Sequence, residues 1–111
     1  MYQGTTPAVT YTIQGYDLSD MTVYATFLNG KDLLTKTGDD VLVTYDSDTQ
    51  TSTIVVALTQ QETLAMKKGS VKTQLRFIDE NGNAYATSKA VIQVKDVLLQ
   101  TVIEYTEDDE E

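Results

Sequence analysis

The amino-acid sequence predicts an all-β fold, an antiparallel β-sandwich of about seven strands with one short helix. Two observations predict it. Segments rich in threonine, valine, isoleucine and tyrosine alternate between apolar and polar residues with a period of two, which is typical of half-buried strands. Turn residues separate these segments at short, regular intervals, and such spacing favours a sandwich. The length of 111 residues suits one domain, which we place at residues 1–105.

The strands follow from local pattern along the chain. Alternating or apolar runs predict strands at residues 9–14, 22–28, 32–36, 41–45, 53–58, 70–79 and 84–95. Asn-Gly, a strong hairpin signal, follows the second strand at Asn29-Gly30 and separates the last two strands at Asn81-Gly82. Each Asn-Gly pair therefore predicts an antiparallel hairpin.

One segment breaks the period of two and predicts a helix of about two turns. Thr59 and Glu62 have the spacing of a capping box, in which each side chain accepts a hydrogen bond from a free backbone N–H of the other residue. Gly69 is placed for a left-handed C-cap. The helix follows the fifth strand, so we expect it to make the crossover that a Greek-key sandwich needs.

The composition excludes several kinds of chemistry. The chain has no cysteine and no histidine, so disulfides, thiolate zinc sites, cysteine nucleophiles, imidazole ligands and histidine-based triads are ruled out. The six glycines stand singly and form no phosphate-binding motif. We therefore predict no catalytic, cofactor-binding or metal-binding residues, and a protein that is not an enzyme.

The charge also bears on partners. Eight Lys and Arg face seventeen Asp and Glu, giving a net charge of −9, and the cations are spread along the chain. Nucleic acid and anionic membranes are therefore not expected as ligands. The five acids at 107–111 repel one another, which predicts a disordered acidic tail over residues 106–111.

Two acidic loops resemble the start of a calcium-binding loop, one at Asp46-Ser47-Asp48 and one beginning at Asp79. Both lack the glycine at the sixth position and the glutamate at the twelfth that such a loop needs. Aspartate and asparagine also favour turns because they hydrogen-bond to nearby backbone. We interpret both loops as turns.

Seven tyrosines leave a carbohydrate-binding or adhesion module open as an alternative function. Tyrosines in predicted strands are more simply core residues or cross-strand partners, and these are Tyr11, Tyr24, Tyr45 and Tyr85. The others fall outside the strands and are Tyr2, Tyr16 and Tyr105. Sugar stacking would require several tyrosines aligned on one open face.

Short motifs along the chain resemble a family of small proteins from the structural-gene clusters of phages and prophages of Gram-positive bacteria. The motifs are the opening MYQGTTP, DLSDMTV at 17–23, LTQQETL at 58–64 and GNAYAT at 82–87. The chain also resembles the immunoglobulin-like N-terminal domain of phage baseplate upper proteins. This resemblance implies an immunoglobulin-like sandwich and a non-enzymatic virion structural protein associated with the tail or baseplate. Its partners would be other phage structural proteins or further copies of itself.

No apolar run approaches the ~20 residues of a membrane helix, and residues 1–20 show no secretory signal. These absences predict a protein that stays in the cytoplasm, and the resemblance to phage proteins implies the host cytoplasm during assembly and then the virion. An apolar patch near the C-terminus contains the candidate interface residues Leu98, Leu99, Val102 and Ile103. Such a patch either covers a strand edge, is donated to a neighbour, or closes the core of its own domain.

Overall fold

The computed structural model describes residues 1–104, and the predicted acidic tail at 106–111 lies outside them. Within the described residues the chain forms eight strands, one α-helix and one 3₁₀ turn. The strands are β1 (Ala8–Gln14), β2 (Thr22–Asn29), β3 (Asp32–Lys36), β4 (Val41–Asp46), β5 (Thr51–Ala57), β6 (Gly69–Ile78), β7 (Ala84–Ala86) and β8 (Ala90–Val94). Helix α1 spans Gln60–Ala65, and the 3₁₀ turn Gly38–Asp40 joins β3 to β4.

The strands form two antiparallel sheets, which confirms the predicted sandwich. The first sheet has the order β1-β5-β4, and the second has the order β3-β2-β6, with β7 and β8 both paired to β6. Immunoglobulin sandwiches divide their strands in the same way, with a B-E-D sheet facing a C′-C-F-G sheet. As expected, the segment containing α1 carries the chain from the first sheet, at β5, to the second, at β6.

The core lies between the two sheets and takes alternate residues from each strand. On β2 and β6 the predicted alternation is confirmed, because every second residue is buried from Val23 to Asn29 and from Val71 to Phe77. The buried apolar side chains are Leu18, Val23, Ala25, Phe27, Ile54, Val56, Leu58, Met66, Val71, Leu75, Phe77 and Val94.

The last predicted strand, 84–95, is interrupted and forms β7 and β8. Arg76 of β6 pairs with Ala86 of β7, and Thr73 of β6 pairs with Ala90 of β8. Two residues separate the paired positions on β6, but the three residues 87–89 separate them on the opposite side. The interruption is therefore a β-bulge with one extra residue.

The bulge reverses which side of the strand faces the core. Thr87 holds it against β6, because its hydroxyl accepts a hydrogen bond from the Leu75 backbone N–H at 3.1 Å. Tyr85 stacks on Phe77 with ring centroids 5.5 Å apart, while Ile92 pairs with core residue Val71. Tyr85 and Ile92 thus face the same side although their positions differ by an odd number, which in a regular strand would put them on opposite sides.

The helix begins as predicted but ends earlier. The capping box is present, with Thr59 as the N-cap, and α1 stops at Ala65. Met66 adopts extended backbone and buries its side chain in the core. The prediction of Gly69 as the C-cap is wrong: this residue has φ +127° but begins β6. Because Met66 is extended and its side chain is buried, α1 ends before Gly69.

Candidate interaction surface

The candidate interface residues all lie exposed on the segment that follows β8. The exposed fractions are 104% for Leu98, 61% for Leu99, 48% for Val102 and 60% for Ile103. The alternative that this patch closes the core of its own domain is therefore wrong. The strand edge at the end of β8 is already covered by the N-terminus. There the Gln3 N–H donates to the carbonyl of Lys95 at 2.8 Å, and the Lys95 N–H donates to the carbonyl of Met1 at 2.7 Å.

Polar contacts hold this segment on the protein surface. We call residues 96–104 the C-terminal strap and its four exposed apolar side chains the apolar patch. The Gln60 side-chain amide donates to the Ile103 carbonyl at 2.8 Å and accepts from the Ile103 N–H at 2.9 Å. The Gln100 amide donates to the side chain of buried Gln3 at 2.9 Å. These bonds use backbone groups of Ile103 and the side chain of Gln100. The strap is therefore held in place while its apolar side chains face solvent.

A groove of about 420 Å³ lies between α1 and the β2–β3 hairpin, and we call it the α1–β3 groove. Phe27 and Met66, both buried, form its apolar base. Leu33, with 66% of its surface exposed, and Leu34 line it on the β3 side, and Ala65 lines it from α1. The groove thus has an apolar base and a partly polar rim that includes Asp32 and Glu62, and it lies beside β3, the outer strand of its sheet.

An ion pair between buried Lys36 and partly exposed Glu62 lies at this groove, which Glu62 helps to line. The Lys36 ammonium is buried and donates to both carboxylate oxygens of Glu62, at 2.8 and 2.9 Å. Glu62 also accepts the Thr59 N–H at 2.9 Å as the second half of the capping box. Burial alone would raise the pKa of Glu62, but the hydrogen bonds from Lys36 and Thr59 together lower it below its usual range. One carboxylate therefore caps α1 and also fastens it to β3.

The tip of the β2–β3 hairpin contains a second anchor. Asn29 pairs with Asp32, so the two-residue loop is Gly30-Lys31, with φ +65° at Gly30. The buried Asn29 side chain donates to the Lys67 carbonyl at 3.1 Å and accepts from the Lys67 N–H at 2.8 Å. The hairpin that the sequence motif predicts here is confirmed. Asn29 has a second role that the motif does not indicate, because it binds the backbone of the segment after α1.

Replacing Asn29 with alanine is expected to lower the free energy of unfolding by about 1–3 kcal/mol, because two backbone groups of Lys67 lose their partner in a part-buried site. Urea denaturation would measure the change. Asn83 is the matched control, since its side-chain amide bond to Asp79 is exposed; Asn83→Ala should change stability much less. Equal losses in the two variants would contradict the anchoring role of Asn29.

The fold brings together lysines that the sequence separates. Lys31, Lys67 and Lys68 line a surface cleft of about 590 Å³ with Asn29 and Asp32, which also line the α1–β3 groove. We call this cleft the lysine cleft. Cations spread along the sequence gave no signal of such a cluster. It forms because the hairpin tip contacts the segment after α1.

The described tyrosines do not share one open face. Tyr11 and Tyr45 pair with the buried residues Ile54 and Ser52 on the inner side of the first sheet. The Tyr11 hydroxyl bonds to Thr73, and burial raises the pKa of Tyr11. Tyr24 pairs with Arg76 on the second sheet, and Tyr85 stacks on Phe77 at another place on that sheet.

The remaining exposed tyrosines among residues 1–104 are Tyr2, which lies under the Lys95 ammonium, and Tyr16, which lies between β1 and β2. Tyr105 lies outside the described residues. The aligned aromatic face that sugar stacking requires is therefore not formed by the tyrosines of the described chain.

The acidic loops use their carboxylates within turns, as interpreted. Asp46 accepts the Asp48 N–H at 2.9 Å, and Asp79 accepts the N–H groups of Asn81 and Asn83, each at 2.9 Å. The backbone hydrogen bond from Asn83 is the main reason that the pKa of Asp79 is lowered. Over residues 1–104, no group of three or more acidic side chains is placed to hold a metal ion.

Comparison with known proteins gives no family: no protein-family model matches the chain, and no curated protein matches it significantly. In the part of the chain that the structure describes, no helix combines the length and apolar character that crossing a membrane requires.

Proposed function

We propose that this protein is a non-enzymatic structural protein of a phage or prophage virion, associated with the tail or baseplate, that acts through protein–protein contacts. The observation that supports the contact role is the apolar patch, four side chains that the C-terminal strap holds in solvent. The virion assignment rests on the sequence motifs described above. It places the protein in the host cytoplasm during assembly and then in the particle.

An exposed apolar patch of this kind favours association. Burying one side chain of this size contributes about 1.5–3 kcal/mol, so four contribute about 6–12 kcal/mol at most. Association itself costs about 4–15 kcal/mol in lost rigid-body freedom. The patch alone therefore supports a weak contact, and a stable assembly needs further complementary groups. Partners are thus other virion proteins or copies of this chain, rather than nucleic acid or membrane.

The test is co-purification of the protein with virus particles after prophage induction, detected by mass spectrometry. We expect the wild-type protein in particles or tail assemblies. The double variant Leu98→Asp/Leu99→Asp should be strongly depleted there yet melt at the wild-type temperature, because surface substitutions change stability by only about 0.5 kcal/mol.

The matched control is Leu42→Asp on β4. Leu42 is 62% exposed, nearly the same as Leu99, but lies on the first sheet away from the strap. This variant should enter particles normally. If wild-type protein is missing from purified particles and from every tail intermediate, the virion proposal fails.

A further inference from the structure

We propose that the apolar patch of one copy binds the α1–β3 groove and the adjoining lysine cleft of a second copy. This inference rests on the proposed function in one respect, that the patch is a protein-binding surface, and names the partner as the chain itself. Three observations carry it: an apolar match, a charge match and the attachment of the strap.

The apolar match lies between the patch and the groove. The groove volume of about 420 Å³ is within the range of about 300–1,000 Å³ that is usual for binding pockets. Its base is apolar at Phe27 and Met66, Leu34 faces it from β3 as the cross-strand partner of Phe27, and exposed Ala65 lines it from α1. Leu98, fully exposed, supplies an apolar side chain of suitable chemistry to enter it.

The charge match lies between the acidic residues that follow the patch in one copy and the lysine cleft beside the groove in the other. In sequence, the patch ends at Ile103 and is followed by Glu104 and the five acids at 107–111. On the folded surface, the apolar groove adjoins the lysine cleft, which is lined by three lysines and one acid, Asp32. Lys68 lies 3.9 Å from the Asp96 carboxylate of its own strap, so Lys31 and Lys67 are the cations that the acidic end of a second copy would meet. Since the chain carries a net charge of −9, a cleft with an excess of cations is an uncommon place where its acidic end is attracted. An apolar segment in the groove therefore brings the following acids towards the lysines.

The attachment of the strap favours a second copy over the same chain. The two hydrogen bonds between Gln60 and the Ile103 backbone, and the bond between Gln100 and Gln3, hold the strap on its own domain. With the strap held in this way, Leu98 and Leu99 stay in solvent and do not line the groove of their own chain. Their apolar surface is buried only when another molecule supplies the groove.

The experiment measures self-association of the purified full chain by sedimentation velocity from micromolar to millimolar concentration. We expect the average mass to rise with concentration. Ala65→Asp in the groove and Leu98→Asp/Leu99→Asp in the patch should each weaken association by about 100-fold, because a carboxylate would be buried in an apolar contact. The control Leu42→Asp should associate like the wild type.

Mixing then identifies the two surfaces as partners. Ala65→Asp protein keeps an intact patch, and Leu98→Asp/Leu99→Asp protein keeps an intact groove, so an equimolar mixture should form heterodimers although each variant alone associates only weakly. Lys31→Gln/Lys67→Gln, which leaves the Lys68–Asp96 ion pair intact, should weaken association by about tenfold at low salt and less at high salt, where the charges are screened. All of the substituted side chains are exposed, so each variant should melt near the wild-type temperature.

A wild-type chain that remains monomeric up to millimolar concentration would overturn the proposal. So would association of the wild type that Ala65→Asp leaves unchanged, or a mixture that forms no heterodimer. These results are separate from the virion test: a monomeric protein that still co-purifies with particles would refute self-association and leave the proposed function standing.

Discussion

Replacing Glu62 with alanine is expected to lower the free energy of unfolding by about 2–3 kcal/mol, somewhat less than the cost of removing one partner from a fully buried ion pair, because the Glu62 side chain is 23% exposed. Lys36 is buried and would keep only Asp40, whose carboxylate lies 4.0 Å away. The substitution also removes the capping-box bond to Thr59. Chemical denaturation of the purified protein measures the loss.

Two further variants separate charge from capping. Glu62→Gln retains a side chain that can accept the Thr59 N–H but removes the charge. Its free energy of unfolding should therefore lie between that of the wild type and that of Glu62→Ala. Lys36→Met combined with Glu62→Gln should recover much of the stability, because no buried charge then lacks a partner. A double variant as unstable as Glu62→Ala would contradict the ion-pair explanation.

The Lys36–Glu62 ion pair also makes the free energy of unfolding depend on pH. Because the folded-state pKa of Glu62 is lowered, its stabilisation is fully present above its ordinary pKa of 4.5 and is lost as pH falls through the folded value. Asp17 and Asp79 also have lowered pKa values, so the wild-type acid profile contains several contributions. The difference between wild type and Glu62→Gln isolates that of Glu62 and should shrink as pH decreases below 4.5.

Replacing Phe27 with alanine is expected to cost about 3–5 kcal/mol, because the ring is almost fully buried and its removal leaves a cavity. The transition should remain cooperative, with a lower midpoint in urea. Leu33→Ala is the control on the neighbouring strand of the same groove, and with a side chain 66% exposed it should change stability far less. A loss below about 1 kcal/mol for Phe27→Ala would show that the surrounding side chains collapse into the space.

Local pattern was enough to predict most of the elements. The alternation of apolar residues identified the strands because side chains on a strand point to opposite faces in turn. The capping box identified the start of α1, since its two hydrogen bonds form between neighbours in sequence. The Asn29-Gly30 motif identified the β2–β3 hairpin for the same reason.

Features that depend on contacts distant in sequence were not predicted. The bulge at 87–89 arises from pairing with β6, and it shifts which residues of β7 and β8 face the core. The end of α1 depends on burial of Met66. The alternation of β3 places Lys36 on the same inward side as Leu34. Its ion pair with Glu62 was not predicted, because Glu62 belongs to another element.

The sequence by itself determined the class of fold, the strand positions and the presence of an apolar patch at Leu98, Leu99, Val102 and Ile103, because each depends on residue type and local spacing. Tertiary structure alone decided that this patch faces solvent, since the N-terminus already covers the adjoining edge. It also decided that a groove lies beside α1 and that lysines distant in sequence share one cleft. These surfaces come from packing between elements, which no local pattern encodes.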